Sequence, residues 1–104
     1  MSYIRGAVHR IDLGNGRGHE QGGRRYGVVL SVTEWSMVTV VPTSTSAQPS
    51  PFRPEIEIGG TPTRLLVDQM RALDVAYMKP EMVDFLTAAD LTKLETAIRR
   101  YLRL

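Results

Sequence analysis

Gly14-Asn15-Gly16-Arg17-Gly18-His19-Glu20-Gln21-Gly22-Gly23-Arg24-Arg25 stands between two apolar segments of this 104-residue chain. Before it, residues 4–13 alternate: Ala7, His9, Ile11 and Leu13 fall on one side, Val8, Arg10 and Asp12 on the other. That period of two is the pattern of a half-buried strand. After it, Tyr26–Val32 is a second strand, and its Val28-Val29-Leu30 run predicts burial on both faces. The quoted stretch is therefore a long loop joining two strands. Its five glycines let backbone approach a ligand closely, and its three arginines carry planar forks that match phosphate geometry. A loop of this make-up points to a phosphate-bearing partner; by itself it also reads as a solvated connection.

Working outward, Thr33-Glu34 is a short turn and Trp35–Val41 a third strand that closes a hairpin on the second. Pro42, which lacks an N–H, is expected to end it. Thr43–Pro54 is rich in Ser, Thr and Pro and reads as a defined surface loop. Phe52–Ile58 is a strand with Glu55 and Glu57 outward and Ile56 and Ile58 inward, turned by Gly59-Gly60. Thr63–Asp68 is a fifth strand, Gln69–Asp74 continues it or forms a turn of helix, and Tyr77–Phe85 is an irregular or extended piece. Thr87 is the expected N-cap of a last helix, with Leu86 and Leu91 placed for a hydrophobic staple. Leu91, Leu94, Ile98 and Leu102 recur at helical spacing, and Arg99, Arg100 and Arg103 suit the negative end of its dipole. Short strands followed by one helix predict a mainly β member of the α+β class, a small barrel or sandwich.

Composition sets bounds. The chain is one domain, residues 1–104, large enough to bury roughly two-thirds of its unfolded surface. It has no Cys and only two His, which removes disulfide frameworks, thiolate sites and His-rich metal sites; no metal or cofactor is expected. No apolar run reaches the roughly 18–20 residues that span a bilayer, and the N-terminus lacks a signal-peptide core. A soluble, cytoplasmic protein is expected. The net charge is +2, and 11 of the 13 basic residues are Arg.

Taken in order, the motifs resemble those of the MazF/PemK toxin family. Arg5-Gly6 precedes the first strand, then come Gly18-His19-Glu20-Gln21 with Arg25 and Val28-Val29-Leu30-Ser31. Val40-Val41-Pro42, Pro51-Phe52, Leu66-Val67-Asp68-Gln69-Met70-Arg71 and a Leu-rich last helix follow in the family's order. The resemblance implies an SH3-like barrel of the CcdB/PemK type with a C-terminal helix, a homodimer, a cognate antitoxin as partner, and metal-independent cleavage of single-stranded RNA at short sequences. Cleavage of that kind uses the substrate's own 2′-OH. Arg25 matches the family's catalytic arginine and is expected to meet the charged phosphorane.

The matching hydroxyl, counted between Pro42 and Pro51-Phe52, is Ser44; a one-residue slip would bring in Thr45 or Thr43. Glu20 is the nearest loop carboxylate for accepting a proton or positioning Arg25, and His19 carries an imidazole suited to proton transfer. His9 is expected to be structural. Arg17, Gln21, Arg24 and Thr43 are candidates for RNA contact, as are Asp68 and Gln69, which match a family pair near the groove. Phe52 and Trp35 are either base-stacking platforms or residues that fill the barrel core or a dimer face. The family's Arg-Pro is Arg25-Tyr26 here, residue 7 is Ala in place of an acid, and His19 replaces a small residue. These departures keep a second expectation open: a catalytically inactive barrel that binds RNA or protein.

Overall fold

The computed structural model describes residues 3–19, 22–33 and 36–104. Seven strands and one helix follow the chain: β1 (Ala7–Asp12), β2 (Arg24–Val32), β3 (Met37–Ser44), β4 (Glu55–Ile58), β5 (Thr61–Leu65), β6 (Arg71–Asp74), β7 (Met78–Phe85) and α1 (Ala88–Leu102). The sheet runs β4-β5-β3-β2-β1-β7, and β6 adds to the free edge of β3. All pairings are antiparallel. This is the expected mainly β, α+β architecture, a curled and partly open barrel with a C-terminal helix.

β3 organises the sheet. One edge pairs with β2; the other pairs first with β6, through Met37–Val40, and then with β5, through Thr43 and Ser44. Pro42 sits where that second edge changes partner. A strand residue projects its nitrogen and carbonyl to the same edge, and the Pro42 carbonyl accepts the Leu66 N–H at 2.8 Å. Its missing N–H therefore falls in the gap between the two partners, and no ladder bond is lost. The expectation that Pro42 terminates the strand is corrected: β3 continues through Thr43 and Ser44.

The Val28-Val29-Leu30 run is buried on both faces, as expected. Val28 and Leu30 pack with Val8, Val41, Ile58 and Leu94 in a core beneath the helix. Val29 packs with Ile11, Val38, Val40, Leu73 and Met78 in a second core on the other face. β1 follows the same logic, so Val8 is buried as fully as Ala7, and of its second set Arg10 reaches solvent while Asp12 is half-buried.

Ile56 and Ile58 point inward and Glu55 and Glu57 outward, as their alternation predicts. Gly59 and Gly60 turn this hairpin with φ of 58° and 81°, a two-residue turn whose twist matches the strands it joins. The fifth strand is shorter than expected, because Val67–Gln69 forms a 3₁₀ turn, and Gln69–Asp74 divides between that turn and β6. The segment 77–85 is a regular strand from Met78 onward. It has few inward residues of its own and is recruited by the open edge of β1, with two register shifts.

Thr87 caps α1, its Oγ1 accepting the Asp90 N–H at 3.1 Å. Leu94 and Ala97 are buried, with Leu91 and Ile98 half-buried against the same core. Leu102 is half-exposed; the last turn is instead held by Tyr101, whose ring meets Phe52 edge-on at 5.3 Å. Arg5 fastens the helix to the sheet, donating to Leu30 O and to Glu95 Oε2, each at 2.8 Å.

Candidate functional site

The first two strands are joined by the glycine loop, which is pinched at its base: Leu13 N–H donates to Gly23 O at 3.0 Å and Gly23 N–H to Gly14 O at 2.6 Å. Gly22 is required by space. A Cβ there would lie 2.5 Å from Gly16 N and 2.8 Å from Gly14 O, both backbone atoms. The pinch places the Gly22 carbonyl beside Arg25, whose Nε donates to it at 3.2 Å. Arg25 Nη1 donates to Thr43 O at 2.8 Å. The guanidinium is thus held between the loop and the end of β3, and among the described residues its Nη2 bonds to nothing.

Arg25 lines an open cleft of about 840 Å³. One wall is the end of the first hairpin, with Arg10, Asp12, Arg24 and Tyr26. The end of β3 and the residues after it supply Thr43, Ser44, Thr45 and Ser46. The β4–β5 hairpin adds Thr61 and Thr63, and Ala76–Lys79 completes the lining. Among the described residues, four cations, Arg10, Arg24, Arg25 and Lys79, share the lining with one carboxylate, Asp12, whose Oδ2 lies 3.7 Å from Arg24 Nε. A cleft with one sign of charge on low-dielectric walls concentrates the opposite charge. The Ser44 hydroxyl accepts the Ser46 N–H at 3.2 Å and lies 3.4 Å from Ser46 Oγ, while Thr45 is exposed. Thr43 is buried, and its hydroxyl donates to Tyr26 O at 2.9 Å. Its side chain ties β3 to β2 at the base of the cleft lining.

The other candidates divide. Arg24 is exposed on the cleft rim. Arg17 and His19 are exposed on the loop and outside the cleft lining; the His19 carbonyl accepts Gln69 Nε2–H at 3.3 Å, which makes Gln69 a strut for the loop. Asp68 is not in the cleft. Both its oxygens are taken by Arg53, Nε to Oδ1 at 3.0 Å and Nη2 to Oδ2 at 2.9 Å, and that bond raises the pKa of the Arg53 guanidinium. Phe52 is half-buried and outside the cleft lining: it packs against the core beneath the helix, and its carbonyl takes the Val67 N–H at 3.1 Å. Glu20, Gln21 and Trp35 lie outside the described residues. His9 is structural in its contacts: it is 2% exposed, lies edge-on to Tyr3, and uses Nδ1–H to bond Lys79 O at 2.9 Å.

Sequence reasoning missed Arg10, Tyr77 and Lys79 as cleft residues. Arg10 had the right signal, as the exposed member of the alternation in β1. The other two lie in the segment read as irregular.

A curled antiparallel sheet closed by one helix, with an arginine-lined cleft at the end of its first hairpin, defines a small partly open barrel. The family model for the PemK-like, MazF-like toxins of type II toxin–antitoxin systems matches residues 4–102. A Mycobacterium tuberculosis (strain ATCC 25618 / H37Rv) protein named "Putative toxin Rv3098A/RVBD_3098A" is 57% identical over 104 aligned residues, 97% of this chain and 98% of that one. The crystal structure of MazF (Form-I) from Deinococcus radiodurans superposes with a TM-score of 0.82 at 24% identity, covering 96% of each chain. An endoribonuclease in complex with its cognate antitoxin, from a mycobacterial species, superposes at 0.79 with 21% identity, covering 99% of this chain and 97% of that one. The chain belongs to the PemK-like, MazF-like toxin family.

Proposed function

We propose that this protein is the toxin of a type II toxin–antitoxin pair and cleaves single-stranded RNA at a short sequence, without a metal ion, by attack of the substrate's 2′-OH. The observation that carries this is the meeting of Arg25 with the Ser44–Thr45 hydroxyls in one cationic cleft. In the reaction the 2′-oxygen bonds to phosphorus and the bond from phosphorus to the 5′-oxygen breaks. The 2′ proton leaves to a base and the departing 5′-oxygen gains one. The products are a 2′,3′-cyclic phosphate and a 5′-OH. Arg25 Nη2 meets the charge on the non-bridging oxygens, held in advance by the two carbonyls that fix the other guanidinium nitrogens. Ser44 or Thr45 supplies a second donor to the phosphate or to the leaving oxygen. Glu20 and His19 are the groups to test as proton acceptors. The working unit is a homodimer in the cytoplasm, and the cognate antitoxin silences it by occupying the cleft.

The test is incubation with single-stranded RNA in EDTA. Cuts at one motif are expected, and Arg25→Ala should slow them about a hundredfold or more, the usual cost of one such donor. Ser44→Ala and Thr45→Ala identify the hydroxyl, and Ser44→Thr restores it where Ser44 is the one used. Cutting that continues unchanged in Arg25→Ala rejects the arginine's role. RNA bound over a long incubation without product makes the chain a binding module instead.

A further inference from the structure

The Ala76–Lys79 part of the cleft lining has no role in the reaction just described, yet it carries a large exposed ring. Tyr77 is 58% exposed while lining the cleft. It stands on a 3₁₀ turn, Val75–Tyr77, that is fixed at both ends. The Asp74 carboxylate accepts the Ala76 N–H at 2.9 Å, and Val75 N–H donates to Ser36 O at 2.8 Å. Val75 packs on the second core, and Met78, the residue after Tyr77, is buried in it. The following carbonyl, of Lys79, is anchored by the buried His9. The backbone is thus held rigidly from behind while the ring is left open to the cleft. Among the described residues the ring contacts no other aromatic. Of the cations in the same lining, Lys79 is two residues along the chain from Tyr77, and the Arg10 guanidinium is steadied 5.8 Å over the Tyr26 ring.

An exposed ring on a fixed backbone, with positive charges in the same cleft, is the pairing by which proteins hold unpaired bases and their backbone. The cleft volume of about 840 Å³ lies high in the roughly 300–1,000 Å³ range of small-molecule sites, room for more than one phosphate. Resting on the RNA-cleaving reading above, we propose that Tyr77 is the stacking platform for a base flanking the cleaved phosphodiester, with Lys79 and Arg10 holding the adjacent phosphates. Because stacking requires a splayed base, this wall selects single strands over duplex. Because every base has a face to stack, it contributes affinity more than sequence preference.

The experiment uses a short mixed-sequence 2′-fluoro RNA strand, which lacks the nucleophile and is bound without being cut. Binding is measured over a range of salt concentrations, with thermal melting of each variant to show that it is folded. Tyr77→Ala should weaken binding about tenfold, the size of one base stack, and leave the salt dependence unchanged. Tyr77→Trp should keep or improve affinity. Lys79→Ala should weaken binding and reduce the slope of log Kd against log salt by about 0.7, the loss of one phosphate contact. Wild-type affinity in Tyr77→Ala, or Tyr77→Trp binding as poorly as Tyr77→Ala, overturns the proposal while leaving cleavage through Arg25 standing. Failure of the wild-type protein to bind the strand at all overturns both.

Discussion

Tyr3 illustrates how a single side chain can carry a cost of the fold. Its ring fills the second core against His9, and its hydroxyl is buried with no hydrogen-bond partner among the described residues. Burial, and secondarily the charge of Glu81, raise the phenol's pKa above its ordinary value of 10.0. The neutral form is therefore favoured in the folded state. Its contribution to stability is present below the unfolded pKa and is lost as pH rises through the higher folded one. Tyr3→Phe keeps the ring and removes both the orphaned hydroxyl and the titration. The variant should be at least as stable as wild type at neutral pH and should lose less stability above about pH 10, measured by urea unfolding across pH. A steeper alkaline loss in the variant would contradict this account. Arg5 shows the complementary case. It stood out in the sequence as part of a motif, and only the structure reveals a clamp between the sheet and the helix.

Among the elements, the glycine loop has the closest link to chemistry. Its flexible composition was plain from the sequence, but its pinch and the carbonyl it offers Arg25 depend on backbone contacts between residues 14–16 and 22–23. Gly22→Ala forces those strands of the loop apart and moves the carbonyl from Arg25 Nε. RNA cleavage is expected to fall ten- to a hundredfold, the usual effect of a displacement near one ångström at a reacting group. The loop is solvated, so global stability should change by no more than about 1 kcal/mol. Equal losses of activity and stability would show that the loop serves the fold and not the cleft. β3 shows why element boundaries are harder to read than elements. Pro42 is a strong local stop signal, but its missing donor falls where no partner needs it.

At the scale of the molecule, stability rests on two cores sharing one sheet, with the helix covering only the first. Leu94 is fully buried in the helix-side core. Leu94→Ala should cost about 2–5 kcal/mol, read as a lower urea midpoint in a single cooperative transition. A much smaller loss, or a transition that separates the helix from the sheet, would mean that the helix is an appendage. Further ties join the helix to the sheet: Glu95 with Arg5, and Lys93 Nζ donating to Glu55 O at 3.3 Å. They support a cooperative loss.

The sequence by itself determined the class of fold, the two-faced burial of β2, the capped amphipathic helix and the arginine that stands at the cleft. Each is written in neighbours a few residues apart, where period, capping and turn chemistry act. Only the tertiary structure decided what stands opposite what. It set Thr43 O against Arg25, paired Phe52 with Tyr101 and Asp68 with Arg53 outside the cleft lining, and brought Tyr77 and Lys79 into it. The reason is that a cleft is the space left between strands, and which strand meets which edge follows from the sum of long-range packing, not from any local run of residues.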